Sequence, residues 1–202
     1  WILRQAGVGE SSTDPETIHR NARERGMSHV TITDHNTIDG CLTLAHHDDF
    51  FISEEVTTYF PEGDVKLHVL ALGITEEQHP EIQALRQNVY ELVAYLKQQE
   101  ILYVLAHPLT GVGGELTPAH IERLMLLFPI WEVHNGSTLE RENALARRLA
   151  EQCTAEKLEE LSVKHGLEPT HGGQITFTAG SDDHAGFDIA CACTVTVDTG
   201  SI

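Results

Sequence analysis

Thr31-Ile32-Thr33-Asp34-His35-Asn36 is the stretch on which the reading of this chain turns. The run from His29 to Thr33 is rich in Val, Ile and Thr, which predicts a strand. It stops abruptly in Asp-His. A carboxylate and an imidazole at a strand's end are oxygen and nitrogen donors on a rigid support. The same pair also serves as a cap, a turn or a solvated end, so its meaning depends on whether the pattern recurs along the chain.

It does recur. Phe50 to Ile52 predicts a second strand, ending in Ser53-Glu54-Glu55, and Pro61-Glu62-Gly63-Asp64 is a turn. Val65 to Leu72 is a third strand, apolar on both faces except at Lys66 and His68, as in strands covered on both sides. Ile101 to Ala106 is a fourth, ending in His107-Pro108, and Ile130 to Val133 a fifth, ending in His134-Asn135-Gly136. Gln174 to Ala179 is a sixth, ending in Gly180-Ser181-Asp182-Asp183-His184, and Cys193 to Val197 a seventh.

Helical patterns separate these strands. Asp14-Pro15-Glu16 is an N-cap, a first-turn Pro and a first-turn acid, predicting a helix to Arg25 that stops at Gly26. Leu42 to Ala45 is one helical turn, and Pro80 to Gln99 is the longest predicted helix, with apolar residues at helical spacing. Thr117-Pro118 caps a helix to Leu126, and further helices run over Leu139–Gln152 and Ala155–His165. The glycines at 111–114 lack the Lys-Ser/Thr of a phosphate-binding loop. Strands alternating with helices predict a parallel sheet, whose site collects at the strands' C-terminal ends.

Composition narrows the function. With 202 residues the chain is expected to be one domain over 1–202. The formal net charge of −18 disfavours a duplex nucleic-acid surface, although bound cations can reverse the field inside a pocket. No apolar run approaches membrane-spanning length. Cys41, Cys153, Cys191 and Cys193 are too scattered for a disulfide scaffold, so a reduced, cytoplasmic protein is expected, with both sulfurs of Cys191-Ala192-Cys193 in the core. The chain begins at Trp1 and stops at Ile202 directly after a predicted strand, which reads as a fragment of a longer protein.

Imidazole and carboxylate donors without thiolates suit Zn, Mn or Fe. Two such ions about 3.5–4 Å apart clamp the attacking and leaving oxygens of a displacement and lower the pKa of a bound water. The pattern therefore predicts metal-assisted hydrolysis, most naturally of a phosphate ester. Structural alternatives stand beside this reading: His68 as a satisfied core histidine, His107 bonded to backbone, Asp182 and Asp183 capping a turn. His46-His47-Asp48-Asp49 reads as a polar loop, and His19, His79, His120, His165 and His171 have no strand-end context.

Thr33-Asp34-His35, Ser53-Glu54-Glu55-Val56-Thr57, His68-Val69-Leu70, Ala106-His107-Pro108, Trp131-Glu132-Val133-His134-Asn135 and Gly180-Ser181-Asp182-Asp183-His184 together, and in this order, resemble the polymerase and histidinol phosphatase (PHP) family. The resemblance implies a distorted seven-stranded β/α barrel, TIM-like, with up to three metals at the strands' C-terminal ends, and phosphoester hydrolysis. By the same resemblance Glu55 is a bridging carboxylate, with His68 and His107 as its partners at one metal. Asp182 belongs to a second metal, and His35 and His184 to a third; Glu55, Asp182 and His184 carry the catalysis. Asn135 is a nearby site residue, and Asp34 orients an imidazole. Asp183 is expected to point away from the metals.

The chain departs from the family at its first motif, His-x-His, which should precede the helix at 16–25. Trp1 to Thr13 contains no His or Asp. The ligand set at Glu55, His68 and His107 is thereby expected to be the complete one, with fewer metals than the family maximum. The expected substrate is a small phosphorylated molecule or nucleotide. The alternatives are a non-catalytic PHP module serving as a structural or docking domain and, more weakly, an amidohydrolase-like enzyme.

Overall fold

The turn at residues 61–63 decides the first part of the architecture. In the computed structural model, which describes residues 13–63, 65–110 and 113–196, β1 runs over Ser53–Phe60 and β2 over Val65–Leu72. Only residues 61–64 join them, and a parallel crossover needs about a dozen residues. The pair is antiparallel, with Glu55 opposite Leu70 and Thr57 opposite His68. β3 (Leu102–Leu105) is also antiparallel to β2, whereas β4 (Ile130–Asn135) and β5 (Thr176–Gly180) continue parallel to β3. The sheet among the described residues is five-stranded, in the order β1-β2-β3-β4-β5. The expectation of a wholly parallel sheet is corrected: it rested on ending the second strand at Glu55, which in fact lies inside β1.

The opening stretch is extended but forms no full strand. It is joined to its neighbours by parallel bridges at Val30–Phe50 and His35–Glu55. The seventh expected strand is likewise absent over 193–196, and Val197 and the residues after it lie outside the described residues, as do Asp64 of the turn and Gly111 and Val112 of the glycine loop. In place of a strand, the Thr194 hydroxyl bonds both the N–H and the C=O of Ala179, each at 3.0 Å. Ala192 is buried while Cys191 and Cys193 are exposed, so the two sulfurs share a face, but the outer one.

Helices α1 (Pro15–Glu24) and α2 (Asp39–Leu44) precede the sheet. The predicted long helix at 80–99 is two helices, α3 (Gln78–Leu85) and α4 (Val89–Gln98). Asn88 breaks it: its backbone is extended and its side chain accepts from Tyr90 N at 3.0 Å, a cap that competes with helix continuation. Then follow α5 (Pro118–Leu127), α6 (Glu140–Glu151) and α7 (Ala155–His165), close to their predicted bounds.

Strand alternation gives the sheet two faces. Val56, Phe60, Leu67, Val69, Leu105 and Trp131 belong to the main apolar core together with Ile82, Leu92, Leu96 and Leu124 of the helices. Glu55, Leu70, Leu72 and Val104 turn the other way and line a cavity. The site is therefore built on a sheet face backed by a fully packed core, where truncating a large side chain costs about 3–5 kcal/mol.

Candidate metal centre

Two backbone hydrogen bonds place His35 beside Glu55. Glu55 N donates to Asp34 O at 3.1 Å, and Asn36 N donates to Glu55 O at 3.0 Å. Asn36 takes a positive φ of 56°, which Asn tolerates better than most residues, and its amide brackets Thr57. Asp34 packs against Gly40, where a Cβ would come within 2.5 Å of its Oδ2.

Glu55 is the centre of the cluster. Its Oε1 lies 2.7 Å from His68 Nδ1, 3.1 Å from His107 Nε2 and 3.9 Å from His35 Nδ1. His68 Nδ1 and His107 Nε2 are 3.2 Å apart. All three of Glu55, His68 and His107 are buried. His107, two residues beyond β3, has a positive φ of 27°, and Asp182 has φ 48°. Such backbone costs on the order of 1–3 kcal/mol per residue and concentrates at functional sites.

The second half of the site hangs on a β-bulge. The register of β4 against β5 shifts between Glu132 and His134. Residues three apart on a regular strand face opposite sides; one extra residue reverses the alternation. Asn135 therefore returns to the face of Glu132 and donates to its Oε2 at 2.9 Å, and also to Asp182 Oδ2 at 3.1 Å. Glu132 Oε2 accepts from His107 N at 2.9 Å as well. Glu132 thus ties the Glu55 cluster to Asp182. It was part of a quoted motif but received no role from the sequence; a lone Glu inside an apolar strand was the available signal.

His184 completes the rim. Its ring centroid is 6.4 Å from that of His35, which itself lies 4.5 Å from His68. His184 Nδ1 donates to Asp182 O at 3.1 Å, which leaves Nε2 as the nitrogen with a lone pair. The Asp183 carboxylate is taken up locally by Gly186 N and Asp188 N. A cavity of about 360 Å³ is lined by His35, Glu55, His107, Asn135, Asp182 and His184, while His68 sits behind Glu55. His35 stands nearer the Glu55 group than to His184, the partner the resemblance gave it.

Electrostatics follow from burial and pairing. Burial pushes the Glu55 carboxyl up, but hydrogen bonds from His107 and His68 and the neighbouring imidazoles outweigh it, and the group is held well below the usual carboxylate range. Burial pulls His68 down, and its bond to Glu55 offsets only part of this. Burial also pulls on His107, but Glu55, Glu132 and Asp182 raise it above the ordinary value. Burial pushes Glu132 up to about 6, against the hydrogen bonds from Asn135 and His107.

The donor set fits a metal. Ligands about 2.0–2.1 Å from a tetrahedral ion stand about 3.3 Å apart. Glu55 Oε1, His68 Nδ1 and His107 Nε2 form a triangle with sides of 2.7, 3.1 and 3.2 Å. Donor atoms of His35, Glu55 and His68 also fall within 4.8 Å of one another. His68 Nε2 and His107 Nδ1 are buried without a hydrogen-bond partner among the described residues. An ion at His68 Nδ1 and His107 Nε2 would leave these outer nitrogens to carry the rings' N–H groups.

The histidines without strand-end context all have structural partners: His19 with Asp49, His79 with Glu54, His165 with Glu122, His171 with Met125 O, and His120 in a capping box with Thr117.

The α/β fold is shared with solved structures of other proteins. One solved structure with the fold is a Bifidobacterium adolescentis protein named for an inferred metal-dependent phosphoesterase activity. It has a TM-score of 0.60 at 14% identity, over 92% of this chain and 88% of that one. Another is an amidohydrolase from Chromobacterium violaceum with bound sulfate and no metal, with a TM-score of 0.61 at 15% identity, over 94% and 89%. No family model matches the sequence, and no curated protein is recognisably similar to it. Among the described residues, no helix is long and apolar enough to cross a membrane.

Proposed function

We propose that this chain is a metal-dependent phosphoesterase of PHP type, its site set in a distorted barrel to which the five-stranded sheet and the bridged segment at 30–35 belong. The observation that carries the reading is the convergence of Glu55 Oε1 with His68 Nδ1 at 2.7 Å and His107 Nε2 at 3.1 Å, with all three side chains buried. Glu55, His68 and His107 would hold a divalent ion of the Zn, Mn or Fe class, with His35, Asp182 and His184 as further donors. Such an ion supplies Lewis acidity and a water acidic enough to ionise near neutral pH.

The chain's own groups have separable roles. Glu55, kept ionised by its two imidazoles, supplies fixed negative charge. Asn135 holds the Asp182 carboxylate at the cavity wall. His184, with its Nδ1 donating to a carbonyl, presents the Nε2 lone pair at the rim, where it can take a proton from an attacking water. Asp34, wedged against Gly40, positions the turn that carries His35.

The cavity volume suits a small phosphorylated molecule or a nucleotide. The charge of −18 speaks against duplex nucleic acid, and the four free cysteines are those of a reduced, cytoplasmic enzyme. The Chromobacterium neighbour binds sulfate, a tetrahedral oxyanion shaped like phosphate. That protein's amidohydrolase name favours a second reading, hydrolysis of an amide by the same site. Assay of the purified protein against small phosphomonoesters and amides, with Zn or Mn added and after chelation, separates the two. Metal-restored turnover of phosphomonoesters supports the first. Turnover of amides alone supports the second, and activity that survives exhaustive chelation overturns both.

A further inference from the structure

The opposite side of α1 carries a second group of donors. Ile18 and Ala22 of this helix line the cavity, whereas Glu16 and His19 face the loop at 46–49 and take no part in it. The sequence offers His46-His47-Asp48-Asp49 as a polar loop; the fold brings three of its members against α1. His47 Nε2 lies 3.1 Å from Glu16 Oε2, and His46 Nε2 lies 3.5 Å from Glu16 Oε1. His19 Nε2 lies 2.9 Å from Asp49 Oδ1. His19 stacks on His47 at 4.0 Å, and His46 lies tilted against His47 at 4.1 Å.

We propose that Glu16, His46 and His47 form a second divalent-cation site, remote from the Glu55 cluster, which takes zinc-class ions and clips α1 to the loop before β1. Donor atoms of the three residues lie within 4.8 Å of one another. The separations of 3.1 and 3.5 Å, one to each oxygen of Glu16, bracket the spacing of about 3.3 Å for tetrahedral ligands. Imidazole and carboxylate without thiolate select Zn, Cu or Ni rather than Ca or Mg.

The setting supports an ion. His19 is buried, is held by Asp49 and lies flat beneath His47, so the face of His47 is fixed before an ion arrives. Arg23 Nε takes the other Asp49 oxygen at 2.7 Å, which assigns Asp49 to positioning rather than ligation. Glu16 and His46 are exposed, so an ion reaches the site from solvent.

Zinc titration of the protein and of a His46→Ala/His47→Ala variant tests the site. One ion fewer per chain in the variant, with the Glu55 site still filled, is the expected result; equal stoichiometry overturns the proposal. Asp49→Asn should weaken binding at this site by about tenfold through loss of the His19–His47 support. Anomalous scattering at the zinc edge on the unmodified protein gives an answer that needs no variant. A peak between Glu16, His46 and His47 supports the site, and a peak at the Glu55 cluster alone overturns it.

Discussion

Glu55 and His68 are diagonal neighbours across an antiparallel pair: Glu55 stands opposite Leu70, His68 opposite Thr57, and the two side chains meet at 2.7 Å. This contact joins the fold to the chemistry. Both residues face the same side of the sheet because they are one two-residue step apart in register. Their shared face opens toward the cavity while the reverse face is sealed by Val56 and Val69.

Glu55→Gln removes a charge without removing volume. The two imidazoles lose the anionic charge of the acceptor that they converge on, while the β1–β2 ladder is untouched. Metal-dependent turnover is expected to fall by about 100-fold or more. The far-ultraviolet circular dichroism should be unchanged, and a collapse of that signal would assign Glu55 a structural role instead.

Added zinc should stabilise the fold, because an ion held by Glu55, His68 and His107 binds the folded state, where the three donors converge, far better than the unfolded chain. At a hundredfold excess over Kd the gain is about 2.7 kcal/mol, or roughly 5–10 °C in Tm for a chain of this size. A chelator should reverse it. Differential scanning calorimetry with and without zinc checks this, and an unchanged Tm would argue against a metal at the Glu55 cluster.

Asn135→Ala should impair activity out of proportion to stability. The amide bridges Glu132 Oε2 and Asp182 Oδ2, so its loss frees Asp182 and leaves Glu132 with one donor fewer. Removing a partner from a buried polar group costs about 1–3 kcal/mol. A turnover loss of about 10–100-fold in a still folded variant is the expected result, read as kcat beside a urea melt.

Glu122 contributes to the pH dependence of stability from a position remote from the candidate metal centre. Glu122 of α5 is held by Lys164 at 2.7 Å and His165 at 2.6 Å, both from the end of α7. The Lys164 bond is the leading cause of a carboxyl pKa below the ordinary value. In the unfolded chain Glu titrates near about 4.3, so between that pH and the lower folded value the unfolded state binds more protons. The contribution is complete above about pH 4.3 and is lost as pH falls through the folded value. Because the pair is partly solvated, its worth is about 1 kcal/mol or less. Glu122→Gln should lower stability by that amount at pH 7 and by nothing near pH 2, measured by urea denaturation at both.

The donors that converge on the cavity were readable from sequence because each stands out against an apolar or turn-forming background: His68 within an apolar strand, His107 before Pro108, Asp182 and His184 after Gly180. The cap and first-turn signals of α1 and α5 were readable for a similar reason. Asp14-Pro15 and Thr117-Pro118 act within three residues of themselves, and both side chains accept the hydrogen bonds that the pattern demands.

Other features needed the tertiary structure. Buried Glu54 and Glu55 looked like the end of a strand, because a sequence does not reveal that His79 and Gln83 wait for one carboxylate and His68 and His107 for the other. Once β1 is known to reach Phe60, the short turn makes β1 and β2 antiparallel. The bulge that brings Asn135 back to Glu132 depends on pairing with β5, some forty residues away. The meeting of Glu16 and His19 with His46, His47 and Asp49 depends on how α1 packs. Sequence by itself determined which groups could do chemistry, because that is a property of residue type and near neighbours. Which groups share a face was decided only by strand direction, register and helix packing, which are set by contacts between residues distant along the chain.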